Sequence, residues 1–330
     1  MKKGKINITC STDDNYAPYA CVMLVSVLEN LNKDCFANIF ILDGGISVEN
    51  KNKIKSTLKK YNCDVSFVFV PKEKEKLFES ATATSSHLSK TAYYRLLLPE
   101  MLNNIDKIIY LDCDLIVLDD ISDLWDIDLE GKQIMAVPVL FMFYYYLLSD
   151  RFNISPESGF LNSGVMVMDL KSLRNSNFVN KAIEFIKNNH SRLTNALDQD
   201  LFNVMFLGSY KKIDLIWNQT IESYIGRGFK NTSVHHYDLY TKEEFEASKK
   251  DPKIAHFDGA LKPWHRGLIH PHKKMYDKYL KKTEFKDLKK KFNFRRMINF
   301  YIYYGLKILP KFLYQLILPL LKKIYYGKNK

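Results

Sequence analysis

The sequence has 330 residues, of which 46% are hydrophobic and 26% are charged, so a disordered chain is excluded and one large globular domain or two ordinary ones are expected. Its five cysteines are widely spaced and form no CxxC pair, which argues against a disulfide framework or a cysteine zinc site and favours a reducing compartment. The net charge of +12 is concentrated in residues 285–330, which hold twelve Lys/Arg and one Asp, so the preceding residues carry a net charge of only +1.

Strands and helices alternate along the first third of the chain. Apolar patterning predicts strands at 5–11, 38–42, 64–70 and Lys107–Leu111, and helices at 16–32, at 47–61 with Ser47 as N-cap, and at 91–98, ended by Pro99. This alternation predicts an α/β fold with a mostly parallel sheet covered by helices. The N-terminal lysines are not followed by an apolar run long enough for a signal peptide, so we expect the folded part to stay in the cytosol.

Acidic residues follow the first and fourth predicted strands, in the stretches Asp13-Asp14-Asn15 and Asp112-Cys113-Asp114. Ligands bind beyond the carboxyl ends of strands in such sheets, so both stretches are expected at a ligand cleft. Two carboxylates one residue apart repel each other, and a divalent cation between them would relieve the conflict. An ordinary acidic turn is the alternative for Asp112 and Asp114. A phosphatase DxDxT motif is discounted, because Leu115-Ile116 follows and the motif lies far from the first strand.

The stretch HFDGALKPWH, residues 256–265, combines groups suited to a metal and a phosphate. Lysine binds phosphate as a point charge, and glycine lets backbone N–H groups approach closely, which points to Lys262 and Gly259. A lone histidine is more often structural than a ligand. If His256 joins Asp112 and Asp114, the set of two oxygens and one imidazole nitrogen suits Mn²⁺ better than Mg²⁺, which stays the alternative.

Six stretches in this order resemble the motif series of glycosyltransferase family 8, and the resemblance covers about residues 5–280. They are STDDNYAPY, TAYYRLLLP, YLDCDLIV, FLNSGVMVMDL, LDQDLFN and HFDGALKPWH. Within the family, the similarity is greatest to bacterial lipopolysaccharide and lipooligosaccharide α-galactosyl- and α-glucosyltransferases. The resemblance implies a GT-A fold, a UDP-sugar donor such as UDP-glucose or UDP-galactose, Mn²⁺, and transfer of the hexose with retention of configuration.

The resemblance also implies roles for individual residues. Asp112, Asp114 and His256 would bind the metal, Asp13 and Asn15 would face uracil and ribose, Ser11 would contact the base through its backbone, and Gly259 and Lys262 would hold the leaving diphosphate. Arg95 would reach the sugar or diphosphate, with a surface ion pair as the alternative, and Asn162, Asp198 and Gln199 would line the donor-sugar pocket. Cys113, in the middle of the DxD motif, is expected to turn its side chain toward the fold.

The sequence says less about the reaction mechanism and about the residues that bind the acceptor. Gln199 is the candidate on the far face of the anomeric carbon, but an amide is a poor nucleophile, so same-face attack by the acceptor hydroxyl is favoured over double displacement. Two aromatic stretches, 141–150 and 216–229, could be acceptor or lid loops, or core. A catalytically silent nucleotide-sugar or glycan-binding protein with the same fold is the alternative to an enzyme.

The basic C-terminal segment suggests a division into a catalytic domain, 1–284, and a tail, 285–330. The longest uncharged runs of the tail are ten residues each, whereas a membrane span needs about twenty. Basic residues interleaved with aromatics, and interrupted by Pro310 and Pro319, favour amphipathic segments on an anionic membrane surface. We therefore expect peripheral attachment to the inner face of the plasma membrane. A helical hairpin packed on the domain is the alternative, and no nucleic-acid module is recognisable.

Overall fold

A computed structural model describes residues 4–78, 90–138, 148–155, 159–193, 197–225 and 240–303. The strands are β1 Lys5–Thr12, β2 Phe36–Asp43, β3 Cys63–Phe69, β4 Lys107–Leu111, β5 Leu115–Val117, β6 Ile134–Pro138, β7 Leu161–Asp169, β8 Lys211–Lys212 and β9 Ile254–His256. The helices with described bounds are α1 Ala17–Asn30, α2 Val48–Leu58, α3 Lys72–Lys76, α4 Leu98–Met101, α5 Ser122–Asp126, α6 Leu170–Asn175, α7 Phe178–Asn189, α8 Leu197–Phe206, α9 Ile221–Ile225, α10 Lys242–Lys250, α11 Lys273–Leu280 and α12 Phe294–Tyr303. Short 3₁₀ segments cover Lys90–Leu97, His190–Arg192 and Leu215–Asn218.

The centre of the fold is a seven-stranded sheet with the order β3-β2-β1-β4-β7-β6-β8. The four strands from β3 to β4 are parallel, whereas β7 runs antiparallel to both of its neighbours. The chain adds β2 and β3 in order on one side of β1 and then crosses over to place β4 on the other side. The strand order therefore reverses between β1 and β4. Helices pack apolar side chains on the sheet, and the predicted mostly parallel α/β fold is confirmed.

The predicted elements of the first third are present, with bounds that shift by a few residues. Ser47 caps α2, since its hydroxyl accepts the N–H of Asn50. The prediction that Pro99 ends a helix is wrong. A 3₁₀ segment, Lys90–Leu97, comes first, and Pro99 lies in the first turn of α4. Proline is tolerated there because the first turn of a helix leaves its N–H groups without intrahelical partners.

A second, two-stranded sheet joins distant parts of the chain at the site. β5 follows the DxD stretch directly, and it pairs antiparallel with β9, so that Leu115 lies opposite His256. The backbone N–H of Phe257 donates to the carbonyl of Asp114 at 2.9 Å, which continues this pairing to the acidic stretch. The pairing brings His256 next to carboxylates that lie more than 140 residues earlier.

The first part of the predicted tail packs against the rest of the fold. Phe285, Phe300 and Tyr301 are buried, and the Tyr301 hydroxyl donates to the carbonyl of Gly267 and accepts the N–H of Ile269. The described part of the tail ends at residue 303, so residues 304–330 lie outside the described residues. Among the helices that are described, none combines the length and the apolar character needed to cross a bilayer.

Replacing Tyr301 with phenylalanine tests the docking of α12. The substitution Tyr301→Phe removes a hydroxyl that makes two hydrogen bonds to the backbone, so we expect the free energy of unfolding to fall by roughly 1–3 kcal/mol. Phe292 is 60% exposed in the same segment, and Phe292→Ala should change stability by less than about 0.5 kcal/mol. Urea unfolding followed by circular dichroism measures both, and equal effects of the two substitutions would contradict the docking.

Candidate functional site

The carboxyl ends of β1 and β4 frame a cavity of about 230 Å³. Because strand order reverses between these strands, this is the edge where ligands bind in sheets of this kind. The cavity is lined by Ser11, Tyr16, Thr91, Ala92, Arg95, Tyr110, Asp112, Cys113, Asp114 and Lys262. The sequence predicts six of these ten as site residues, and the fold brings those six together from four separate stretches of the chain.

Asp112 is held by both its backbone and its side chain. Its N–H donates to the carbonyl of Gly164 at 2.9 Å, which continues the pairing of β4 with β7. One carboxylate oxygen, Oδ1, accepts from Arg95 Nη2 at 2.8 Å and from the Tyr110 hydroxyl at 3.1 Å. The other oxygen, Oδ2, lies 3.9 Å from Nε2 of His256 and is therefore the oxygen that faces the histidine.

Asp114 has a histidine and a lysine from the C-terminal part of the domain as neighbours. Its Oδ1 lies 3.1 Å from His256 Nε2, and its Oδ2 accepts from Lys262 Nζ at 2.5 Å. Burial raises the pKa of the Asp114 carboxyl, but Lys262 and then His256 outweigh burial, and the net pKa lies well below the ordinary value. Burial lowers the pKa of His256, and the Asp114 carboxylate outweighs it, so the net pKa is raised.

The three predicted metal ligands form a group that could hold a divalent cation. One ligand atom from each of Asp112, Asp114 and His256 can be chosen so that all three lie within 4.8 Å of one another. Gly164 lets two of these side chains pack directly against the backbone of β7. A methyl group on Gly164 would lie 2.3 Å from Cε1 of His256 and 2.8 Å from Oδ2 of Asp112, so any larger residue would displace them. Two carboxylate oxygens and an imidazole nitrogen held this close together fit a divalent cation.

Hydrogen bonds and an aromatic stack hold the loop that carries Lys262 in place. The N–H of Lys262 donates to Nδ1 of His265 at 2.9 Å, and the Lys262 ammonium also donates to the carbonyl of Phe257 at 2.8 Å. Burial lowers the pKa of His265 to about 4, so the ring is neutral at pH 7 and its nitrogen can accept. Trp264 stacks on Tyr19 of α1, with ring centroids 3.6 Å apart. The lysine is therefore held toward Asp114 by packing as well as by charge.

Arg95 is buried and connects the two acidic regions of the site. Besides Asp112, its guanidinium pairs with Asp198 at 3.2 Å and donates to the carbonyl of Ser163 at 2.8 Å. Its charge also lies 4.3 Å from the centre of the Tyr110 ring. The alternative, that Arg95 forms an ion pair on the protein surface, is wrong because only 5% of Arg95 is exposed. Its donors are engaged by protein groups here, and a direct contact with sugar or diphosphate stays a prediction.

The predicted sugar-pocket residues lie together where β7 meets α8. Gln199 Oε1 accepts the N–H of Ser163 at 3.1 Å, and the Ser163 hydroxyl donates to Asp198 at 3.2 Å. Asn162 Oδ1 accepts the N–H of Gly164 at 2.9 Å. Burial raises the pKa of Asp198, but Arg95 opposes that shift. These contacts join the pocket residues to the DxD carboxylates through Arg95 and β7.

The residues predicted to face the nucleoside lie at the turn after β1. Asp13 Oδ1 accepts the N–H of Tyr16 at 3.0 Å, and Asn15 is exposed. As expected, Cys113 turns inward, and its thiol donates to the carbonyl of Ser11 at 3.3 Å. Gly259 is buried in the loop between β9 and Lys262. The assignments of these residues to base, ribose and diphosphate stay predictions.

Sequence reasoning missed several residues that shape the site. Asn218 contacts both His256 and Asn162, Gly164 allows His256 and Asp112 to pack against β7, and Ser163 joins Arg95 to Gln199. Ser163 and Gly164 stand in the FLNSGV stretch that identifies Asn162, so the signal was present there. Asn218 stands in IWNQT, within the stretch 216–229 that the sequence leaves open as an acceptor or lid loop or as core. Within the described part of that stretch, Trp217 and Ile221 are core. Residues 141–147 and 226–229 of the two aromatic stretches lie outside the described residues.

Known proteins resemble this chain over most of its length. The sequence profile of "Glycosyl transferase family 8" matches residues 7–267. General stress protein A of Bacillus subtilis (strain 168) is 31% identical over 86% of this chain and 96% of its own length. The lipopolysaccharide 1,2-glucosyltransferase of Escherichia coli (strain K12) is 24% identical over 86% and 79%. A crystal structure of the galactosyltransferase LgtC, in complex with donor and acceptor sugar analogues, matches with a TM-score of 0.73 and 25% identity, covering 84% of this chain and 96% of LgtC.

Adding one methyl group at Gly164 tests the proposed cation space. The variant Gly164→Ala would push His256 and Asp112 apart, so we expect affinity for Mn²⁺, measured by isothermal titration calorimetry, to fall by about tenfold or more. Gly4 has no neighbouring atom within 4 Å of the equivalent methyl position, so Gly4→Ala serves as the control and should bind as the wild type does. Unchanged affinity in a folded Gly164→Ala protein would remove the cation from this space.

Proposed function

Because the chain belongs to glycosyl transferase family 8, we propose that it is a metal-dependent, retaining enzyme that transfers glucose or galactose from a UDP-sugar to a glycan or glycolipid acceptor. The observation that carries the proposal is the meeting of Asp112, Asp114 and His256 with Lys262 at the carboxyl ends of β1 and β4. Two carboxylates with their own cationic neighbours, beside a cavity, form a site for a metal-bound diphosphate.

The ligand set favours Mn²⁺ among the common divalent cations. Imidazole is a better ligand for Mn²⁺ than for Mg²⁺, which prefers oxygen alone, so His256 decides the preference. A cation bound here would supply positive charge to the diphosphate as it departs. The protein adds the charge of Lys262, whose ammonium lies against Asp114 and turns toward the same cavity. Preorganised charge of this kind is commonly the largest single contribution to catalysis.

The contacts of Gln199 support transfer on a single face of the sugar. Its Oε1 already accepts the N–H of Ser163, so the oxygen that would attack the anomeric carbon is engaged as well as weakly nucleophilic. Asp198 is paired with Arg95 and Ser163 and is not free to take over that role in this arrangement. We therefore favour attack by the acceptor hydroxyl on the face that the diphosphate leaves, with a departing phosphate oxygen taking the hydroxyl proton.

The proposed acceptor is a bacterial surface glycolipid or polysaccharide, reached at the cytoplasmic face of the plasma membrane. The name of the Escherichia coli relative supports a lipopolysaccharide acceptor. The described start of the tail exposes Phe292 and Phe294 next to basic residues such as Lys291 and Arg295. Aromatic and basic side chains together favour anionic lipid surfaces, so we keep the tail as the membrane-associating segment.

Turnover of UDP-sugars is the direct test of the activity. We expect the wild type to release UDP from UDP-glucose or UDP-galactose when Mn²⁺ is present, and a coupled UDP assay measures the rate. Lys262→Ala should lower the rate by on the order of 100-fold or more, because charge at the leaving diphosphate is lost. Asp114→Asn should lower it similarly and should also weaken Mn²⁺ binding.

The control for these variants is a lysine outside the site. Lys211 pairs with Glu130 at 2.6 Å beside β8, and Lys211→Ala should keep the wild-type rate. A wild type that binds UDP with Mn²⁺ but turns over none of a panel of UDP-sugars would favour the catalytically silent alternative. Equal rates for wild type and Lys262→Ala would contradict the role of the lysine.

Removing residues 304–330 separates membrane attachment from catalysis. These residues carry six of the twelve basic residues of the tail, each contributing on the order of 1 kcal/mol near an anionic surface. We expect the truncated protein to lose binding to vesicles containing phosphatidylglycerol in a flotation assay and to keep UDP-sugar hydrolysis. A cut after residue 284 should instead destabilise the domain, because Phe300 and Tyr301 are buried. Vesicle binding that survives the shorter cut unchanged would contradict this role of the tail.

A further inference from the structure

A buried asparagine lies directly behind the candidate metal ligands. Asn218 is 0% exposed and ends the 3₁₀ segment Leu215–Asn218. Its Oδ1 lies 2.9 Å from Nδ1 of His256, and its Nδ2 donates to Oδ1 of Asn162 at 2.9 Å. One amide therefore touches both the imidazole at the cation position and a residue of the predicted sugar pocket.

Three hydrogen bonds link Gly164, Asn162, Asn218 and His256 in series, and the backbone N–H of Gly164 sets the direction of all three. The N–H of Gly164 can only donate, so the atom of Asn162 that it meets at 2.9 Å is the oxygen. The atom of Asn218 that faces this oxygen must then be the NH₂ nitrogen. The remaining atom of Asn218 is an oxygen and can only accept, so the hydrogen between it and His256 belongs to Nδ1 of the ring.

This polarity decides which ring nitrogen of His256 can bind a cation. With its hydrogen on Nδ1, a neutral imidazole carries its free lone pair on Nε2. Nε2 lies 3.1 Å from Oδ1 of Asp114 and 3.9 Å from Oδ2 of Asp112, so a cation bound to Nε2 would meet both carboxylates and take the place of any hydrogen that Nε2 donates to Asp114. Histidines that bind metals usually donate their other N–H to an outer partner, which sets the tautomer and the ring orientation.

We propose that Asn218 is a positioning residue that holds His256 in the metal-binding tautomer and at the same time fixes the amide of Asn162. This inference rests on the proposed function and extends it to a residue with no expected contact to the donor. Asn162 Oδ1 accepts from both Gly164 and Asn218, so these two contacts fix the orientation of its amide. The cation position and the sugar pocket thus depend on the same buried side chain.

Two substitutions at Asn218 separate its two contacts. Asn218→Ala removes both, and we expect Mn²⁺ affinity to fall about 10- to 100-fold, the usual effect of losing such an outer partner. Asn218→Asp keeps an acceptor for Nδ1–H of His256 but sets an oxygen against Oδ1 of Asn162. It should hold Mn²⁺ at least as tightly as the wild type while raising KM for the UDP-sugar about tenfold, as expected for one lost hydrogen bond.

Three measurements cover these expectations. Electron paramagnetic resonance of free Mn²⁺, titrated with protein in the presence of UDP, gives the affinity, and UDP release gives KM and kcat. Nitrogen-15 NMR of histidine-labelled, metal-free protein, at a pH where the ring is neutral, reports which ring nitrogen carries the hydrogen. Loss of a signal in His256→Gln assigns the resonance. Asn7, at the opposite end of β1, donates to the carbonyl of Lys107, and Asn7→Ala is the control for a lost internal amide.

The outcomes distinguish this inference from the proposed function. A hydrogen on Nε2 and none on Nδ1 of wild-type His256 would overturn the inference, as would a folded Asn218→Ala protein with wild-type Mn²⁺ affinity. If Asn218→Ala does not fold, Asn218→Asp and the NMR of the wild type still decide. A wild type without Mn²⁺ binding or UDP release refutes the proposed function instead, while the position of the hydrogen on His256 still tests the role of Asn218.

Discussion

Two carboxylates one residue apart, Asp112 and Asp114, repel each other, and much of the site serves to relieve that repulsion. Asp112 receives the guanidinium of Arg95, whereas Asp114 receives Lys262 and the ring of His256. One oxygen of each carboxylate and one ring nitrogen of His256 lie within 4.8 Å of one another. The arginine comes from the 3₁₀ segment Lys90–Leu97, and the histidine and lysine come from residues 256–265, so relieving the charge of one short turn requires two distant segments to be held against it.

The fold meets that requirement with backbone pairing rather than with side chains alone. β7 pairs with β4 and carries Asn162 to Gly164 alongside Asp112, and β9 pairs with β5 and carries His256 alongside Asp114. Arg95 then connects Asp112 to Asp198 within the protein interior. The proposed metal position and the proposed sugar pocket are therefore parts of one hydrogen-bonded unit, in which a change at one residue is expected to be felt across the site.

The C-terminal segment docks on the domain and is also the segment proposed to associate with the membrane. Residues up to Tyr301 bury aromatic side chains against the domain and bind the backbone of the loop at Gly267 and Ile269. That loop continues from the KPWH stretch, so the docked helix supports the region that holds Lys262. The proposed membrane-associating function then rests on the exposed side chains of this segment, such as Phe292 and Phe294, together with residues 304–330.

The alternation of strands and helices, and the position of two acidic stretches at the ends of strands, follow from the sequence because apolar periodicity and short motifs are local properties. The grouping of Asp112, Asp114, His256 and Lys262 follows from the resemblance to the family motifs. Neither indicates that Arg95 is buried between two aspartates, that Pro99 lies in the first turn of a helix, or that Gly164 and Asn218 pack around His256. Those facts depend on which side chains meet across strands far apart in the chain. They emerge with the folded protein, because burial and hydrogen-bond partners are set by packing between segments and not by the residues next in sequence.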